Sequence, residues 1–166
     1  EEKKSNAVTK DKVINSDFAS EIANDPEGHR DNWYVWSGEG GKVNSFAVEN
    51  GEFGIDISKL GSAAWNVQFD QWIKVEPGAT YQVTFDARAK KARDINVKLL
   101  HPTEYTVYGK ETRNLTSTME TYSVKIKVPA DADEIVNLSF ELGALSDQSK
   151  ATTVYFDNVS IEQVGE

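Results

Sequence analysis

Apolar and polar residues alternate along most of this chain, which is the pattern of strands with one buried and one exposed face. In GEFGIDISKL, residues 51–60, Phe53, Ile55 and Ile57 share one side. The same period of two recurs in six further segments, which contain Trp65–Phe69, Tyr81–Phe85, Ile95–Leu99, Tyr122–Val128, Val136–Leu142 and Val154–Ile161. The pattern predicts about eight or more strands, with Trp65 on the buried side of its segment.

Turn-forming residues separate these segments, as at Asn50–Gly51, Pro77–Gly78 and Pro129. No window of helical length has a sustained period of 3.6 residues. Regularly spaced strands with turns between them predict an all-β fold, an antiparallel β-sandwich of jelly-roll type. Residues 1–11 are charged and lack apolar periodicity, which predicts a linker or disordered tail before a module over residues 12–166.

Composition and charge narrow the classes of partner. The chain has 166 residues, enough for one domain, and a formal net charge of −9, which disfavours nucleic acid and anionic membranes. It has no cysteine, so a disulfide, a thiolate metal site and a Cys nucleophile are excluded. Because the sequence starts with Glu-Glu-Lys-Lys and has no signal peptide, we expect a segment of a longer protein.

Aromatic residues in polar surroundings are the first candidate binding groups, because a sugar ring has an apolar face that stacks on an aromatic ring. Trp33, Tyr34 and Trp36 precede the glycine-rich SGEGG, and Tyr105 and Tyr108 lie in HPTEYTVYGKETRN, interpreted as a loop over residues 101–114. Trp36 and Tyr108 are the favoured platforms. The alternative for each ring is packing in the core or within its loop.

Polar residues on the outward faces of strands are the second group. If Val97 and Leu99 point inward, Lys98 points outward, and the same argument applies to Gln68, Asn137, Ser139 and Glu141. Gln71 joins them if a bulge near Asp70 turns it outward. Amides and charged groups on one sheet face can hydrogen-bond to sugar hydroxyls, although an ordinary solvated face would look similar.

Several segments together resemble the carbohydrate-binding modules of families 4, 9, 16 and 22, closest to family 4 or 16. They are VINSDFAS with NWYVW, AAWNVQFDQWIKVEPGATYQVTFDARAK, FELG and VYFDNVSIEQV, and the resemblance covers about Val13 to Val164. The resemblance implies a non-catalytic sugar-binding groove on one sheet face. It places Trp33 in the core, Trp36 and Tyr108 on opposite sides of the groove, and Lys98, Asn137 and Glu141 in it.

The resemblance also implies a structural Ca²⁺. The family's ligands fall on the carboxylates of Asp17 and Asp157 and on the backbone carbonyl of Gly51. Oxygen ligands of this kind are those that Ca²⁺ prefers. The chain departs from its relatives at Ala19, where Glu is common, and both Asp residues could instead cap turns.

The sequence therefore predicts binding of a β-glucan, β-1,3- or β-1,4-linked, by a monomeric, secreted or cell-surface module attached to a glycoside hydrolase. Mannan binding and a structural or protein-interaction sandwich remain alternatives. A small glycoside-active enzyme is the weakest one. Glu104, Glu111 and Glu141 could supply carboxylates, but no catalytic motif accompanies them, and His29 and His101 have no ligand-like spacing.

Overall fold

The structure, a computed structural model, describes residues 12–22, 24 and 32–165, and the tail predicted for residues 1–11 lies outside them. Ten strands follow one another along the chain: β1 Tyr34–Ser37, β2 Gly41–Glu49, β3 Glu52–Leu60, β4 Val67–Lys74, β5 Thr80–Ala89, β6 Arg93–Leu100, β7 Val107–Leu115, β8 Glu120–Lys127, β9 Ile135–Glu141 and β10 Thr153–Val164. A short 3₁₀ helix, Ala64–Asn66, precedes β4. The described residues contain no α-helix.

The strands form two five-stranded sheets. Sheet A has the order β1-β4-β9-β6-β7, and sheet B has the order β2-β3-β10-β5-β8. Neighbouring strands pair antiparallel in both sheets. The two sheets pack face to face around one apolar core, which confirms the predicted antiparallel β-sandwich of jelly-roll type.

Alternating burial ties the core to the strand pattern. Along β5 the buried residues Tyr81, Val83 and Phe85 alternate with partly exposed ones, as the sequence predicts. The centre of the core is aromatic, with Trp33 stacked on Phe69 at 4.3 Å between ring centroids. An inward ring on a strand fixes its two neighbours on the opposite face, so the core determines which side chains line the outside of the sheet.

Two expectations about local structure are wrong. Residues 107–115 form β7 and not a loop. The sequence did not reveal this edge strand because it is mostly polar and lacks apolar alternation. Trp65 does not point into the core: it lies in the 3₁₀ helix and its residue is 45% exposed. The helical turn ends the period of two just before Val67, so the strand pattern extended one repeat too far.

The predicted core position of Trp33 allows a test by substitution. The residue is 1% exposed and its indole N–H donates to the carbonyl of Asn15 at 3.2 Å. We expect Trp33→Ala to lower the free energy of unfolding by about 3–5 kcal/mol, because it leaves a large cavity. Denaturant unfolding measures this, with Trp65→Ala as the exposed control at less than about 1 kcal/mol. Equal losses for both variants would contradict the assignment.

Candidate functional site

The outer face of sheet A carries a groove with a cavity volume of about 520 Å³. The strand register arranges the outward side chains in rows that cross the sheet. The first row is Trp36, Gln68, Glu141, Asn96 and Thr112; the second is Tyr34, Asp70, Ser139, Lys98 and Lys110; the third is Trp72, Asn137, Leu100 and Val107. Polar side chains therefore form the floor of the groove, and aromatic rings lie at its ends.

Two tryptophans, Trp36 and Trp65, form one end of the groove, and we name them the Trp platform. Their ring centroids are 6.2 Å apart with 23° between the planes. The ring of Trp36 lies over Gly38, where an added Cβ would come within 2.8 Å of it. Trp36 is thus backed by main chain and by Trp65, and both residues line the groove.

The turn that carries Trp65 is held by contacts with distant segments. The carbonyl of Asn66 accepts the N–H of Gly38 at 3.0 Å, and the carbonyl of Ala64 accepts that of Gly143 at 2.9 Å. A Cβ at Gly143 would lie 2.4 Å from the carbonyl oxygen of Ala63, so this close approach requires glycine. The Trp platform is consequently fixed before any ligand binds.

A buried arginine supports the same turn from β6. Arg93 is 2% exposed, and its guanidinium donates to the carbonyls of Gly143 at 3.0 Å and Lys150 at 2.9 Å. Desolvation lowers the pKa of Arg93 to about 10, which leaves it charged at neutral pH, and neighbouring Asp94 opposes the shift. Arg93 therefore ties Gly143 and Lys150, the two ends of the segment 143–150, to the start of β6.

The floor of the groove is a chain of hydrogen bonds. Thr112 donates to Asn96 Oδ1 at 2.7 Å, and Asn96 Nδ2 donates to Glu141 Oε1 at 3.1 Å. The other oxygen of Glu141 accepts from the ammonium of Lys98. Both carboxylate oxygens of Glu141 are thus engaged, while Lys98 keeps N–H groups that can reach a ligand.

Two amides present acceptors to the groove. Gln68 donates through Nε2 to the carbonyl of Trp65 at 2.7 Å, which orients its Oε1 away from that bond. Asn137 is 4% exposed, and within the described part of the chain its Oδ1 accepts no hydrogen bond. A buried acceptor of this kind costs free energy until a ligand or water donates to it. Gln68, Lys98, Asn137 and Glu141 therefore lie together, as the sequence predicted.

Tyr108, the second predicted aromatic platform, does not line the groove. Tyr108 packs against the core, and its hydroxyl accepts the N–H of Asp133 at 3.4 Å. The pairing of β6 with β7 shifts here, since Leu99 pairs with Gly109 but Leu100 with Val107, and this bulge leaves Tyr108 unpaired in the ladder. Tyr105 lines the groove instead and is 69% exposed.

Gln71 also lies elsewhere. It is 0% exposed and falls on the core side of β4, in the same alternation as Phe69 and Ile73. Its Oε1 accepts the N–H of Ile14 at 2.7 Å and its Nε2 donates to the carbonyl of Ile14 at 3.1 Å. The predicted bulge at Asp70 is absent from the register of β4 with β9, so Gln71 anchors the N-terminal segment and does not face the groove.

The residues predicted to hold a metal lie on or beside sheet B, away from the groove. The N–H of Val159 donates to the carbonyl of Ser16 at 3.0 Å, which brings Asp17 beside β10. Burial raises the pKa of Asp157, and the carboxylates of Asp86, Glu52 and Asp17 raise it further. Gly51 lies in the turn before β3, two residues before Phe53, which pairs with Phe156. Across residues 12–22, 24 and 32–165, no three His, Cys, Asp or Glu side chains form a metal-binding group.

The described part of the chain contains no helix with the length and apolarity that crossing a bilayer requires. No curated protein is significantly similar to the chain in sequence. Among solved structures, one described as "CBM4 structure and function" is 37% identical, with a TM-score of 0.85, and the match covers 92% of this chain and 99% of that one.

Two more distant structures share the fold. The N-terminal cellulose-binding domain of β-1,4-glucanase C from Cellulomonas fimi is 19% identical, with a TM-score of 0.53 over 83% of this chain and 94% of its own. The CBM22-1–GH10 part of xylanase 10B from Clostridium thermocellum, complexed with xylohexaose, is 16% identical with a TM-score of 0.56. That match covers 93% of this chain and 29% of the xylanase chain.

The family model CBM_4_9, described as "Carbohydrate binding domain", matches residues 10–152, a range that contains the Trp platform and the whole polar floor. The structure at 37% identity extends the similarity to nearly the full length of both chains. This chain therefore belongs to the carbohydrate-binding domain family CBM_4_9.

Proposed function

We propose that the groove of sheet A binds a single chain of an uncharged β-glucan, β-1,3- or β-1,4-linked, without cleaving it. The observation that carries this proposal is the Trp platform, two near-parallel rings that stand beside a polar floor. A sugar ring stacks its apolar face on such a ring and directs its hydroxyls at the hydrogen-bonding groups below.

The dimensions of the floor suit several consecutive sugar units. The three rows are two residues apart, so the first and third are separated by roughly 13 Å along the strands. Tyr105 follows Leu100 beyond the third row, at the end opposite the Trp platform. Gln68, Lys98, Asn137 and Glu141 lie between these ends, and we assign them to orienting the chain.

Hydrolysis is disfavoured by the placement of the carboxylates. Glycosidases flank the scissile bond with two carboxyl groups, one acting as acid and the other as base or nucleophile. Here Asp70 and Glu141 both lie on the floor, on one side of any bound chain, and Glu141 is already bonded to Lys98 and Asn96. We infer a binding module that brings an attached glycoside hydrolase to its polysaccharide.

The same proposal extends to the parent protein of this module and its location. The distant relatives include a domain described as part of a glucanase and a module joined to a GH10 unit. By analogy we infer a secreted or cell-surface parent enzyme with this module as a monomeric accessory domain. A mannan as ligand would use the same platform, so a polysaccharide panel has to include one.

Removing either ring of the Trp platform should weaken sugar binding. We expect Trp36→Ala and Trp65→Ala each to reduce affinity at least about tenfold, because each removes part of an apolar stacking surface worth about 25 cal/mol per Å². Lys98→Ala should also weaken binding, since it removes a donor from the floor. Isothermal titration with β-1,3- and β-1,4-glucan hexasaccharides measures all three.

A matched control is Lys125→Ala, which removes an exposed lysine from β8 on the other sheet. Its affinity should equal that of the wild type. Affinity electrophoresis on glucans, mannan and xylan, with reducing-sugar release measured on each, separates the alternatives. Sugar release would indicate an enzyme. Wild-type affinity in both Trp variants would show that the sugar does not bind in this groove.

We also propose a structural Ca²⁺ held by the carboxylates of Asp17 and Asp157 and the carbonyl of Gly51. The support is electrostatic: burial raises the pKa of Asp157, the neighbouring carboxylates raise it further, and a cation would relieve their repulsion. Since the described residues provide no group of three acidic or imidazole ligands, such a site depends on backbone carbonyls as well. The ion would fasten the N-terminal segment to β10, away from the groove.

Chelation and one isosteric substitution test this proposal together. Chelator should lower the melting temperature of the wild type, because a ligand of the folded state stabilises it. Without the cation, the pKa of Asp157 is higher in the folded than in the unfolded chain. The fold therefore loses stability as the pH rises through the folded-state pKa and Asp157 ionises. Asp157→Asn should therefore raise the melting temperature in chelator at pH 7 and lower it in Ca²⁺. No effect of chelator on the wild type would exclude the site.

A further inference from the structure

The loop between β6 and β7 holds an exposed aromatic ring in an unfavourable backbone conformation. Tyr105 has a φ of +67°, in the left-handed region that bulky residues rarely adopt, and it is 69% exposed. Its N–H donates to the carbonyl of His101 at 3.1 Å, and the N–H of His101 donates to the carbonyl of Thr106 at 2.8 Å. Conformations of this kind persist where surrounding contacts impose them, and they cluster at functional sites.

The imidazole of His101 supplies those contacts. Its Nδ1 accepts two backbone N–H groups, from Thr103 at 3.2 Å and from Glu104 at 3.0 Å. Only an unprotonated Nδ1 can accept them, so the ring is the neutral tautomer with its proton on Nε2. Nε2 lies 3.6 Å from Asp133 Oδ2.

Asp133 is itself fixed, which connects the loop to the core. Its Oδ1 accepts the N–H of Ile135 at 3.1 Å, and its own N–H donates to the hydroxyl of Tyr108. Tyr108 packs against the core. A continuous set of contacts therefore runs from the core through Tyr108, Asp133 and His101 to the turn that carries Tyr105.

We propose that neutral His101 is the positioning residue that holds Tyr105 at the groove, and that protonation of His101 releases this turn and weakens sugar binding. The inference rests on the proposed function, because the position of Tyr105 affects affinity only if the groove binds sugar. It assigns to the module a loss of affinity on acidification.

The groups around the imidazole of His101 determine whether acidification weakens or strengthens sugar binding. Protonation places a hydrogen on Nδ1, opposite two N–H donors, so both hydrogen bonds to the turn are lost. The carboxylates of Asp133 and Glu104 oppose this by attracting the imidazolium. Asp133 is half exposed and Glu104 is exposed, so solvent screens both attractions.

Isothermal titration with β-1,3- and β-1,4-glucan hexasaccharides, at about pH 7.5 and about pH 5, tests the inference. Wild-type affinity should fall about fivefold or more on acidification, the amount expected for losing one stacked ring. His101→Asn should bind like the wild type at the higher pH and show no such fall, because Asn Oδ1 accepts the same turn N–H groups and does not titrate. His101→Leu and Tyr105→Ala should bind weakly at both values.

Three results would overturn the inference: a wild-type affinity that is equal at both values, the same fall in His101→Asn, or undiminished binding by Tyr105→Ala. Thermal unfolding of each variant at both values excludes loss of the fold as the cause. If the wild type binds neither oligosaccharide, the proposed function fails. The amide NMR signals of Thr103 and Glu104 then decide about His101: they should shift together in the wild type between the two values and stay unchanged in His101→Asn.

Discussion

The stacking of aromatic rings around Phe69 is the interaction on which the rest of the structure depends. Its ring contacts those of Phe18, Trp33, Phe53, Phe140 and Phe156, which come from both sheets and from the N-terminal segment. Because strand side chains alternate, burying Phe69 forces its neighbours Gln68 and Asp70 to the outer face. Phe140 has the same effect on Ser139 and Glu141, so the core and the groove floor are fixed by one constraint.

This constraint explains what could be predicted from the sequence. The outward positions of Lys98, Asn137 and Glu141 could be predicted because each lies between two buried apolar residues. The rule fails where the backbone leaves the regular strand. The 3₁₀ helix turns Trp65 outward, and the bulge between β6 and β7 sends Tyr108 to the core and leaves Tyr105 at the groove. Such irregularities depend on contacts between distant segments, which local periodicity does not record.

Gln71 illustrates a different limit. Its alternation with Phe69 and Ile73 points it inward. A buried amide needs hydrogen-bond partners, however, and the sequence shows none nearby, which favoured an outward position. The backbone of Ile14 supplies them from 57 residues away. The raised pKa of Asp157 was equally hidden, because it arises from burial and from carboxylates on three other segments. In both cases the missing information was which segment covers the residue.

The support of the Trp65 turn has a consequence for protein engineering. Three separate parts of the chain hold this turn: Gly38 after β1, Gly143 after β9, and Arg93, which bonds to Gly143 from β6. Transplanting residues 61–67 alone into another sandwich would therefore transfer the tryptophan without its orientation. A functional graft has to carry the two glycine-containing loops and the buried arginine as a unit, which makes the whole end of sheet A the smallest portable recognition element.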